Sequence, residues 1–71
     1  MKTESNSTGG KMDIFWGQSS DSYDEAVASA VEIAKKDLVG KTLEWLEVVE
    51  FRGGFDKGKL QYQISVRIGY V

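Results

Sequence analysis

The most constraining feature of this sequence is an uninterrupted alternation near its end. Leu60, Tyr62, Ile64, Val66, Ile68 and Tyr70 occupy every second position, with Gln61, Gln63, Ser65, Arg67 and Gly69 between them. Side chains of a strand point to opposite faces in turn, so this pattern predicts a strand over Leu60 to Tyr70 with one apolar and one polar face. Such a strand needs an apolar partner on one side, and the rest of the chain supplies it.

Ser22-Tyr23-Asp24-Glu25 has the form of a capping box. Ser22 can accept from the Glu25 N–H, and Glu25 can reach back to the N–H of Ser22. A helix is predicted from about Tyr23 to Leu38, with Tyr23, Ala26, Val27, Ala30, Val31, Ala34 and Leu38 as its apolar stripe. The alanines let a helix lie close to a sheet. Lys35 and Lys36 suit the negative end of the helix dipole, and Gly40 suits a left-handed cap. Met12 to Trp16 reads as a short strand, with Met12, Ile14 and Trp16 on one side and Phe15 on the other, ending in the turn-forming Gly17 to Asp21. Thr42 to Phe51 reads as the second strand, and Arg52 to Gly58, with three glycines, as a hairpin connection. The expected fold class is α+β: a β-α-β-β order, with three antiparallel strands and one helix on one face. Met1 to Lys11 is polar and charged, so a disordered tail is expected before a domain over 12–71. Asn6-Ser7-Thr8 fits a glycosylation sequon that a tail of this kind meets by chance.

Composition narrows the function. The chain has 71 residues, no cysteine, no histidine and a net charge of −2. Disulfides and thiolate metal sites are excluded, as is the commonest general base near neutral pH. Serine nucleophiles have no histidine to activate them, so an enzyme is not expected. The charge gives no case for nucleic acid, and no apolar run approaches the ~20 residues of a membrane span. The N-terminus has no apolar core of a secretory signal, and the default expectation is a soluble, cytoplasmic protein. A domain this small usually needs a staple, and association with copies of itself is the one left.

Strand parity shows where such association would act. Leu46 and Val48 are expected to face the helix with the apolar side of the last strand. Leu43, Trp45, Val49 and Phe51, interrupted by Glu47, then face the other way, beside Gln61, Gln63, Ser65 and Arg67. Two readings of that face stand: apolar packing between subunits, and a planar heteroaromatic ligand laid on Trp45. Spacing alone favours packing. Glu47 is placed to pair with Arg67 or with a neighbouring subunit, whereas Glu44 and Glu50 are expected on the opposite face. Asp13, Asp21, Asp24 and Asp56 lack the spacing of a cation loop.

Four fragments resemble the dodecins, a family of very small flavin-binding proteins. They are Gly17-Gln18-Ser19 with Ser22-Tyr23-Asp24-Glu25-Ala26, then Trp45-Leu46-Glu47-Val48, Arg52-Gly53, and Tyr62-Gln63-Ile64-Ser65-Val66-Arg67-Ile68-Gly69-Tyr70. In order, they span nearly all of 12–71. The resemblance implies a hollow homo-oligomer of twelve subunits, a dodecamer, that binds riboflavin, lumichrome or FMN. It implies that Trp45 stacks on the isoalloxazine ring and that Gln63 hydrogen-bonds its polar edge, with Glu47 and Ser65 on the same binding face. Storage or sequestration of the flavin and photoprotective quenching are the implied roles. The segment Asp37 to Thr42 is about two residues longer than the family pattern, and Tyr23 stands where the family has Trp. An alternative is the same oligomer without flavin, serving as a structural, cation-binding or nucleotide-binding assembly.

Overall fold

The computed structural model describes residues 10–71. Of the expected tail over Met1 to Lys11, residues 1–9, with the sequon, lie outside the described residues, whereas Lys11 is the first residue of a strand rather than part of a tail. Four elements succeed one another along the chain: β1 (Lys11–Ser19), α1 (Tyr23–Asp37), β2 (Leu43–Asp56) and β3 (Lys59–Tyr70). The expected β-α-β-β order is therefore the observed one. The sheet order is β1-β3-β2, antiparallel throughout, so the strand with the strongest alternation is the central one. A central strand has a neighbour on either side, and Ile64, Val66 and Ile68 on its helix side are buried with Phe15 of β1.

The helix contributes Ala26, Ala30 and Ala34 to this core, while Val27 and Leu38 pack at its margin. The approach is close because Gly17 lies under it. A Cβ at Gly17 would collide with the Ala26 carbonyl oxygen and the Ala30 backbone nitrogen. Ser22 caps the helix, its side chain accepting from the Glu25 N–H at 3.1 Å. The reciprocal half of the capping box is not made. The Ser19 hydroxyl takes its place, accepting from the N–H groups of Asp21 and Ser22 and donating to the Glu25 carboxylate at 3.4 Å. At the other end Leu38 donates to the Ala34 carbonyl, and Gly40 takes a left-handed φ of 85°.

Three boundaries differ from the sequence expectation. β1 begins at Lys11 and runs on through Gly17 to Ser19, because β3 is long enough to pair with all of it. β2 runs past Arg52-Gly53-Gly54 to Asp56, and only Lys57-Gly58 form the turn. Both turn residues have positive φ, 52° at Lys57 and 80° at Gly58, which matches the twist of a two-residue hairpin.

β2 also carries two bulges, one between Leu43 and Trp45 and one between Val48 and Glu50. Each inserts a residue and reverses the parity of the residues beyond it. Leu43 consequently pairs with Tyr70 and packs on the core, and Phe51 pairs with Ile64 on the helix side. There the Tyr23 ring meets Phe51 and Tyr62 edge-on, with centroids 5.1 and 5.0 Å away. The expectation that Leu43 and Phe51 share a face with Trp45 is thus corrected. So is the placement of Glu50, which pairs with Ser65 on the same face as Glu47.

Candidate functional site

The face of the sheet turned away from the helix is a grid set by register. Met12, Gly69 and Trp45 form one row, and Ile14, Arg67 and Glu47 the next. Trp16, Ser65 and Glu50 form the third, and Gln18, Gln63 and Arg52 the fourth. All four residues singled out by sequence, Trp45, Glu47, Gln63 and Ser65, lie on this face.

They do not form one cluster within a chain. Trp45 is in the Gly69 row and Gln63 is six residues further along β3, about 20 Å away at a strand rise of ~3.3 Å per residue. Trp45 is 47% exposed and rests on Gly69, where a Cβ would fall within the indole. The glycine of the last strand therefore makes the seat on which the indole lies. Between the two ends, Arg67 Nη1 donates to Glu47 Oε1 at 2.7 Å. Both side chains are substantially exposed, so solvent screens the pair and its net contribution is at most ~1 kcal/mol. The Arg67 Nε is buried and has no partner. The pair fixes charge in the middle of the face more than it stabilises the fold.

Ser65 is only 2% exposed, although it faces away from the helix. Its row neighbour Trp16 and the Arg52 side chain meet on this face, with the guanidinium carbon 5.4 Å from the ring centroid. Arg52 stands on β2 and Trp16 on β1, so the contact bridges β3 next to Ser65. Ser65 thus belongs to the floor beneath the surface. Gln63 lies against Gly54 across the hairpin, where a Cβ would meet its Nε2 at 3.1 Å. A pocket of about 360 Å³ opens beside it, lined by Trp16, Gly17, Gln18, Ser29, Ile33 and Gln63. Trp16 is the member of this face that sequence reading left without a role. Its side was legible from the alternation of β1, but nothing local to β1 showed which part of β2 it would meet.

Asp13, one of the carboxylates weighed as a cation ligand, accepts from the Tyr70 hydroxyl at 2.9 Å. This hydrogen bond, aided by desolvation and by the negative charges of Asp13 and Asp37, holds the Tyr70 phenol above its ordinary pKa. Among the described residues no group of three or more carboxylates gathers to hold a metal ion. No helix of the described residues is long and apolar enough to cross a membrane.

One helix on a three-stranded sheet, with an indole seated on the uncovered face, defines a class of very small β-α-β-β proteins. The family model for dodecin matches residues 11–71, and the chain belongs to the dodecin family. Its fold is similar to that of the dodecin from Streptomyces davaonensis, with a TM-score of 0.75 and 27% identity over 86% of this chain and 88% of that one. The dodecin from Streptomyces coelicolor gives 0.73 and 31%, over 86% of each chain. The tt0972 protein from Thermus thermophilus gives the same score and identity, over 86% of this chain and 88% of its own. No curated protein matches the chain at a comparable level.

Proposed function

We propose that this protein binds a flavin (riboflavin, lumichrome or FMN) within a homo-oligomeric shell of twelve subunits. Its role is storage or sequestration of the flavin and photoprotective quenching, without catalytic turnover, in the cytoplasm. The observation that carries the reading is Trp45, half-exposed and seated on Gly69, in a chain that belongs to the dodecin family. An exposed indole held against backbone offers its free surface to a planar ring at little entropic cost. Electron transfer from that indole to the excited flavin, with return of the electron, dissipates the excitation without product.

The separation of Trp45 from Gln63 supports an oligomeric site. A ring that stacks on Trp45 and hydrogen-bonds to Gln63 draws those residues from two copies of the chain. Met12, Ile14 and Trp16 extend the apolar area around them, and each is about half exposed. That same area is what favours the second reading, in which the face serves to pack subunits in an assembly that does not bind flavin.

Riboflavin fluorescence titrated with flavin-free protein, alongside a sizing column, separates the two. Deep quenching at an apparent mass near twelve subunits is expected, and Trp45→Ala should keep the mass and lose the quenching. Full riboflavin emission at saturating protein with the same large mass discards the flavin and leaves the packing reading. A monomer removes both.

A further inference from the structure

We propose that Trp16 is a second stacking surface for the flavin ring, capped in the free protein by the Arg52 guanidinium. The inference rests on the flavin reading above and adds a residue and a displacement step to it. Trp16 stands one position before the Gly17-Gln18-Ser19 fragment and belongs to none of the four fragments that carry the family resemblance.

Three observations converge on it. First, register places Trp16 beside Ser65 and one row from Gln63, the residue expected to hold the polar edge of the ring. Trp16 and Gln63 also line the same pocket of about 360 Å³, whereas Trp45 stands at the far end of the face. A ring that reaches Gln63 therefore comes within reach of Trp16 of the same copy. Second, Trp16 is 46% exposed, so part of its side chain is open to a ligand. Third, part of that accessible surface is already occupied by a planar group. The Arg52 guanidinium carbon lies 5.4 Å from the ring centroid, within cation–π range.

Arg52 is suited to leave. Its backbone is anchored, because the Tyr23 hydroxyl donates to the Arg52 carbonyl at 3.1 Å. Its side chain is exposed and, among the described residues, enters no salt bridge. Exposed cation–π contacts are weak, and a three-ring heterocycle offers an indole far more contact area than a guanidinium does. The free state thus keeps the indole partly covered, and the ligand replaces the cation. Trp45 from one copy and Trp16 from another then approach the same ring system from different sides or ends.

The test is a set of riboflavin titrations on the flavin-free, full-length protein and its variants, each also run on a sizing column. Trp16→Ala should raise Kd by roughly three- to tenfold, the range of one aromatic contact, with the elution volume unchanged. Arg52→Gln should lower Kd about twofold or more, because no cation has to be displaced. Since the chain has two tryptophans, Trp45→Phe leaves Trp16 as the sole indole. Its emission should change when Arg52→Gln is added in the same background. If the wild type binds riboflavin and both Trp16→Ala and Arg52→Gln bind like it, the inference is overturned while the flavin reading survives. If the wild type does not bind riboflavin, both fall together. Should Trp16→Ala fail to assemble, Arg52→Gln decides alone, and an unchanged Kd overturns the inference.

Discussion

Replacing Gly69 by alanine tests how the Trp45 platform is built. Gly69 does not have a positive φ, so alanine fits its backbone and introduces no conformational strain. All of the effect must come from one methyl group. That carbon would stand 2.6 Å from Cζ2 of Trp45 and closer still to Cε2 and Nε1. Carbon atoms settle at roughly 3.5–4.0 Å, so the indole has to withdraw by about 1 Å or more. Trp45 is half exposed and can swing outward, which places the stability cost near the low end of the overpacking range, about 1 kcal/mol. The larger consequence falls on binding. Losing a properly seated aromatic contact forfeits about 0.5–1.5 kcal/mol, equivalent to a two- to twelvefold rise in riboflavin Kd. The assay pairs that titration with indole emission in a Trp16→Phe background, where Trp45 is the only tryptophan. A red-shifted emission and weaker binding are expected. Unchanged emission together with unchanged Kd would refute the idea that Gly69 seats the indole.

The same geometry carries other expectations. Gly17→Ala should be far more damaging than Gly69→Ala, by about 3 kcal/mol or more in denaturant unfolding, because its methyl meets helix backbone that cannot rotate away. Lys57→Gly should raise stability by about 1 kcal/mol, since a non-glycine residue at φ 52° carries the left-handed penalty; an unchanged midpoint would argue against that turn. The Tyr70–Asp13 hydrogen bond requires the phenolic proton, and the folded-state pKa is raised. Its contribution is therefore whole below the ordinary tyrosine range near pH 10 and is lost as pH climbs through the raised value. In a 295 nm absorbance titration Asp13→Ala should bring one tyrosine back toward the ordinary range, and an unaltered titration would count against the bond.

Much of this fold is written locally. The alternation of Leu60 to Tyr70 specifies a strand with one buried face, because a period of two has only one structural meaning. Ser22 specifies a helix start because its hydroxyl satisfies a backbone N–H within the same turn. The alanine stripe specifies which side of that helix is buried. These signals act over three or four residues, so they survive in the sequence alone. The resemblance to the dodecins adds the order of the pieces, and the comparisons bear it out over residues 11–71.

Pairing between distant segments is the part that the sequence did not determine. Parity counting assumes an unbroken ladder, and the bulges at Glu44 and Val49 break it twice. Leu43 and Phe51 therefore moved to the helix side, and Glu50 joined Glu47, without any local signal. Gly53 and Gly54 read as a turn by propensity, yet they stay extended because β3 offers a full set of ladder hydrogen bonds opposite them. The same long-range register decides the site. It parts Trp45 from Gln63 by six residues of β3, and it lays Arg52 of one edge strand against Trp16 of the other. Residue types and faces are fixed by local chemistry, but distances across a sheet are fixed only when its strands choose their register.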